Sequence, residues 1–289
     1  MQADPLASCR ASPYEEPMPA LRASPWRRHV ALPQDHGSWV FLLCPLVIGL
    51  AAAPAVRLAS LALVVAALAG FLARQPITIA IRALSGRRRG DDLAPAAWWL
   101  ALYGAVGLGA TAALVRLGAG DVVWLALPAL PVLAWQLWLV SRREERRRPG
   151  VELLGASALA LVAPAAVRVG GDAWEARGWL LWLLVWLQSA ASILQAHMRL
   201  EPARPPGMPR SPASRGALAL VAGNVVLVAA LAATDVVPAL LVVPYALQAV
   251  DALWSATHAA ARVKPARIGR HQLGVSATFT LLFALAWRG

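Results

Sequence analysis

From residue 37 onward the chain alternates long apolar blocks with short, arginine-rich polar ones. Each apolar block runs for about 17–25 residues, the length a helix needs to cross roughly 30 Å of hydrocarbon. Nine such blocks can be drawn, at approximately 37–54, 58–82, 95–115, 121–140, 151–169, 178–198, 216–233, 236–258 and 271–287. None alternates with the two-residue period of a barrel strand, and in a bilayer only helices and closed barrels satisfy their own backbone groups. The pattern therefore predicts an all-α, polytopic transmembrane helical bundle of nine helices within a membrane domain spanning 29–289. Gln75-Pro76 interrupts the second block, and Pro238 and Pro244 the eighth. Both blocks are expected to bend, because proline lacks a backbone donor and crowds the preceding turn.

Residues 1–28 break the pattern. They hold Pro5, Pro13, Pro17, Pro19 and Pro25 and no apolar core, which does not fit a cleavable signal peptide. A disordered Pro-rich cytoplasmic tail is expected over 1–28, since such sequence buries too little surface to order itself.

Composition sharpens the membrane assignment. The chain is 59% hydrophobic and 15% charged, with a mean hydropathy of +0.58, whereas a soluble domain carries about a quarter charged residues. A net charge of +12 would ordinarily raise nucleic-acid binding. Here the arginines occupy loops between spans, and no aromatic–basic interleaving accompanies them. The expected partner is the lipid bilayer, with no nucleic acid. Cys9 and Cys44 fall in the tail and the first span and imply no disulfide framework.

The arginines also set direction. Threading nine spans puts 21 basic residues on one side, in clusters such as Arg87-Arg88-Arg89 and Arg146-Arg147-Arg148, and five on the other: Arg57, Arg116, Arg168, Arg177 and Arg288. Arg74 lies inside a span. The positive-inside bias predicts a cytoplasmic N-terminus and a C-terminus outside. Trp98, Trp99, Trp138, Trp174, Trp179 and Trp287 fit interface anchors, and Gly104, Gly107 and Gly109 are small enough for close helix packing.

Polar residues inside the spans carry the functional information, because each is costly without a partner or a wet cavity. In the assigned direction all fall in the cytoplasmic half: Asp35 and His36 at the mouth of the first span, and Arg74, Gln75, Thr78 and Arg82 in the second. Gln136, Glu152 and Asn224 follow, with Gln188, Gln195 and His197 in the sixth. Gln248, Asp251 and His258 lie in the eighth, and His271 and Gln272 open the ninth. Gln248, Asp251, Ser255 and His258 are spaced three, four and three, so they share one helix face; Gln188, Ser192, Gln195 and Arg199 share another. These faces predict a pocket open to the cytoplasm, lined by Asp35, His36, Arg74, Gln75, Gln188, Gln195, Arg199, Gln248, Asp251 and His258. Arg74 and Asp251 are candidates to neutralise each other. The alternative is that the polar faces merely tie helices together. No HxxxH or HExxH spacing supports a metal site, and the sequence names no cofactor or catalytic residue.

Pro33-Gln34-Asp35-His36-Gly37-Ser38-Trp39, leading into Leu43-Cys44-Pro45-Leu46-Val47-Ile48-Gly49, resembles the opening of the YwiC-like bacterial membrane proteins. Phe71-Leu72-Ala73-Arg74-Gln75-Pro76 resembles that family's second-helix motif, and Lys264-Pro265-Ala266-Arg267-Ile268-Gly269 its C-terminal pattern. Asp35 replaces the family's usual Glu and keeps a carboxylate beside His36. The resemblance covers roughly 29–289 and implies a multi-pass protein of the bacterial cytoplasmic membrane, without naming an activity. The nine-helix plan also resembles the UbiA prenyltransferase superfamily, whose enzymes hold a prenyl diphosphate through Mg²⁺ on two Asp-rich motifs. At the matching positions stand Arg74-Gln75-Pro76 and Gln195-Ala196-His197-Met198-Arg199, with no Asp. The resemblances together imply a cytoplasm-facing pocket for an anionic or isoprenoid lipid. The alternatives are a lipid or prenyl transferase with an atypical site, for which Asp91-Asp92 is the one adjacent acidic pair of the Asp-Asp type, and a transporter using Arg74–Asp251.

Overall fold

The computed structural model describes residues 28–33, 36–86, 90–142, 149–171, 173–200, 212–257 and 265–288. Apart from Arg28, the expected tail over 1–28 lies outside them. The α-helices among the described residues are α1 (Arg28–Ala31), α2 (His36–Ala52), α3 (Leu58–Leu84), α4 (Leu93–Arg116), α5 (Ala129–Ser141), α6 (Pro149–Ala160), α7 (Val162–Gly170), α8 (Ala176–Leu200), α9 (Pro212–Ala233), α10 (Val242–Thr257) and α11 (Pro265–Arg288). Short 3₁₀ turns at Gly90–Asp92, Gly120–Ala126 and Ala239–Leu241 lead into α4, α5 and α10. Among these residues there is no strand.

Each apolar block is helical through most of its described length. Seven segments are long and apolar enough to cross a membrane: Leu58–Leu84, Leu93–Arg116, Gly120–Ser141, Pro149–Gly170, Ala176–Leu200, Ser214–Ala233 and Ala239–Thr257; Ser38–Ala52 is apolar but shorter. Large apolar side chains stand bare on many helices, among them Leu108 at 73% exposure, Val226 at 68%, Trp254 at 62% and Leu281 at 60%. An aqueous surface does not carry so much continuous apolar area, whereas hydrocarbon is its natural solvent. The chain is a multi-pass helical membrane protein.

The prolines of the second and eighth blocks leave different marks on the helices. α3 runs unbroken through Pro76. Pro238 precedes the 3₁₀ turn, and Pro244 sits in the first turn of α10, where its missing donor would be unpaired anyway. The break falls instead in the fifth block, at Leu161, between α6 and α7. Pro164 explains it, since its ring cannot accept the carbonyl four residues earlier.

Packing places α8 at the centre of one half of the bundle. It is the most enclosed of the long helices and α4 the least. Leu181, Leu184 and Val185 of α8 meet Val228, Leu241, Tyr245, Phe279 and Phe283 in the largest core. Tyr245 and Phe279 pack edge to face at 5.0 Å, and the Tyr245 hydroxyl donates to the Leu184 carbonyl at 2.9 Å. α2 lies between this group and the α3–α4 pair, against α11 and α7.

Close approach occurs at glycines other than those expected. Gly104 and Gly109 face open space, and only Gly107 meets a neighbour, Ala69 at 3.5 Å. Tight contacts fall at Gly170, where a Cβ would lie 2.5 Å from the Ala55 carbonyl, and at Gly49 of α2, where it would lie 2.8 Å from the Ala163 backbone of α7.

Candidate functional site

One end of the bundle collects the polar side chains. Trp39, near the start of α2, packs edge-on against Phe71 of α3 at 5.2 Å. Further along α2, the Cys44 thiol approaches the Ser276 carbonyl of α11 at 3.8 Å, and Arg288 Nε donates to the Ala51 carbonyl at 3.0 Å. α2 and α11 therefore run in the same direction, and their starts lie at the end where Arg74 and Gln75 sit. His271, early in α11, reaches Asp251, which in turn meets Arg199 near the end of α8. The inner-half residues do share one end of the protein.

At the centre of this end is Asp251. Its carboxylate accepts Arg199 Nη2 at 3.0 Å on each oxygen and Gln195 Nε2 at 2.5 Å, and His271 Nε2 lies 2.6 Å from Oδ1. Arg199 also donates to the Ser255 hydroxyl, which donates to the Asp251 carbonyl at 2.6 Å. Asp251 and Arg199 are 12% and 15% exposed at the side chain, and His271 46%. The ion pair is thus enclosed by α8 and α10, while the imidazole opens outward.

Beneath it runs a ladder of neutral polar groups. Gln248 Nε2 donates to the Gln188 carbonyl and to Ser192 Oγ, both at 3.1 Å, and Gln188 Nε2 donates to the same Oγ at 3.2 Å. Gln272 of α11 donates to the Ser192 carbonyl at 2.8 Å, and Asn224 of α9 to the Leu187 carbonyl at 3.1 Å. Gln188, Gln195 and Gln248 are 1–2% exposed. Their amides donate to Ser192, to the Asp251 carboxylate and to the Gln188 backbone carbonyl, since buried amides need partners. The spacing-derived faces on α8 and α10 thus meet directly, with Gln188, Ser192 and Gln248 enclosed between the two helices.

The remaining site residues form a separate group across α2. Gln75 Nε2 donates to the His29 carbonyl at 3.0 Å, the Tyr103 hydroxyl donates to the Ala31 carbonyl at 3.0 Å, and His29 Nε2 lies 3.5 Å from Asp92. Arg74 extends over the Phe71 ring at 5.6 Å. The expected Arg74–Asp251 pair is not formed: Asp251 is taken by Arg199 and His271, and α2 stands between the two helices. Asp35 and His258 lie outside the described residues, and His36 is the first residue of α2.

His271 and Ser255 are the partners that sequence reasoning undervalued. Ser255 shares the i, i+4 face with Asp251, a signal present in the spacing. His271 carried no such signal, because its contact crosses from α11 to α10. A second exposed pair, His197 with Glu152 at 3.0 Å, joins α8 to α6. Among the described residues no group of three or more His, Cys, Asp or Glu side chains is arranged to hold a metal ion.

The model of the family described as YwiC-like protein matches residues 32–167. The match covers α2 through most of α7, including Arg74 and Gln75, and ends before α8. No curated protein and no solved structure matches the chain.

Proposed function

We propose that this membrane protein, whose residues 32–167 match the YwiC-like family model, is a multi-pass protein of the bacterial cytoplasmic membrane that binds an anionic or isoprenoid lipid at its polar end. The headgroup would meet the rim formed by His271 and the Arg199–Asp251 pair, and the glutamine ladder beneath would hold α8, α10 and α11 together. This polar end would face the cytoplasm, following the arginine bias along the chain.

One observation carries the anionic preference. Arg215, Arg267 and Arg270 are exposed at the same end of α9 and α11 as His271, while the carboxylate of Asp251 is already occupied. A rim of cations around a neutralised centre attracts phosphate or carboxylate headgroups, which guanidinium groups bind through paired hydrogen bonds. Native mass spectrometry of the full chain, extracted in mild detergent, tests this. A phosphate-bearing lipid should stay bound to the wild type and be lost from the Arg267→Gln/Arg270→Gln variant. Equal retention by both, or no retained lipid on the wild type, would overturn it.

A further inference from the structure

His271 turns one ring nitrogen to the protein and the other away from it. Its Nε2 lies 2.6 Å from Asp251 Oδ1, and the same carboxylate accepts from Arg199 and Gln195. An ionised carboxylate has no proton to give, so the hydrogen of the His271 contact sits on Nε2. In the neutral imidazole Nδ1 then carries a bare lone pair and can only accept. It meets no partner among the described residues, and the side chain is 46% exposed. Arg199 and Gln195 fix the carboxylate, the carboxylate fixes the tautomer, and the tautomer fixes what a ligand must offer at this point. It must offer a donor.

Neighbouring positions on α11 complete the surface. Arg267 stands four residues before His271 and Gly274 three after it, so they share one helix face over roughly 10 Å. Arg267 is exposed and lies nearest the polar end. Gly274 is exposed as well, one turn deeper, and a Cβ built there would find nothing within 4 Å. The same face continues through Thr278, whose hydroxyl turns back to the Gly274 carbonyl at 3.0 Å, to Leu281. From the polar end inward, the strip offers a cation, a hydrogen-bond acceptor, a notch and then bare apolar surface.

That order selects among anionic lipids. Arg267 suits a phosphate, Nδ1 a hydroxyl one turn deeper, and the notch a hydrocarbon chain. A diacyl phospholipid has no free hydroxyl on the chain side of its phosphate, because both glycerol oxygens there are esterified. An isoprenoid phosphate has none either. A single-chain glycerophospholipid keeps one.

We propose that this face of α11 binds a single-chain glycerophospholipid, its phosphate on Arg267, its free glycerol hydroxyl donating to His271 Nδ1 and its chain across Gly274. The inference rests on lipid binding at the polar end and names the lipid class. Titrations of the full chain in mild detergent, read by native mass spectrometry, compare 1-oleoyl-glycerol 3-phosphate with 3-(oleoyloxy)propyl phosphate, which has the same phosphate and chain and lacks the hydroxyl. The wild type should prefer the first about tenfold, the size of one hydrogen bond to an oriented acceptor. His271→Phe, which keeps a ring and loses the acceptor, should bind both without preference. Gly274→Leu fills the notch without replacing a polar group, and should weaken both while keeping the preference. Glycerol 3-phosphate at equal concentration should displace neither; displacement would overturn the lipid as the source of the phosphate. Equal binding of the two esters by the wild type, a preference that survives in His271→Phe, or unchanged affinities in Gly274→Leu would overturn this inference and leave lipid binding at the polar end standing. Failure of the wild type to bind either ester would overturn both.

Discussion

Replacing Arg199 by leucine leaves the Asp251 carboxylate 12% exposed, with Gln195 and His271 still donating. A buried charge stripped of its only partner costs about 3–5 kcal/mol, and a water-exposed pair is worth about 0.2–1 kcal/mol. With two donors remaining, the loss should fall between these limits, at about 2 kcal/mol. Asp251→Leu strands the guanidinium instead. Arg199 belongs to the last turn of α8, and its long stem can carry the charge toward water, so the loss should be smaller, about 1 kcal/mol. The double variant strands neither charge, and a coupling of about 1–2 kcal/mol is expected. For a chain of this size each kcal/mol moves the midpoint by about 2–4 °C. Thermal unfolding in mild detergent, followed by tryptophan fluorescence, should therefore show Arg199→Leu lowest, Asp251→Leu intermediate, and the double variant above the sum of the two losses. Arg74→Leu combined with Asp251→Leu should be additive, because α2 separates those residues. Additive losses for the 199/251 pair, or coupling between 74 and 251, would refute the geometry described for this end.

Gly49→Val should destabilise the bundle by at least about 1–3 kcal/mol, since its branched side chain meets the Ala163 backbone; Gly104→Ala, facing open space, should be neutral or gain up to about 1 kcal/mol, and midpoints in detergent compare them. In a background lacking Cys9 and Cys44, cysteine at 271 should react with a water-soluble maleimide, whereas cysteines at 188 and 248, enclosed at 1–2% exposure, should not. Ready labelling at 188 or 248 would mean that the ladder lines water. A reporter active only in the cytoplasm should work when fused after Arg89, Arg148, Pro209 or Lys264 and be silent after Gly118, Gly171 or Gly289. Activity at Gly289 would contradict nine spans.

Hydropathy and spacing alone determined that this chain is a helical membrane protein, where its helices fall, and which side chains share a face. Those properties follow from one helix at a time: the rise per residue sets the span length, and intervals of three and four set the face. Gln188, Ser192, Gln195 and Arg199 were legible as one stripe for that reason, as were Gln248, Asp251 and Ser255. Which stripe meets which was decided only by the tertiary structure. In a bilayer every helix presents a similar apolar surface, so hydropathy carries no information on neighbour order or on rotation about the helix axis. Arg74 and Asp251 looked like partners because both are charges at similar depth, yet α2 lies between them and Arg199 and His271 take the carboxylate. The same limit explains the glycines. Gly104 and Gly109 are as small as Gly49, but only Gly49 points at another backbone.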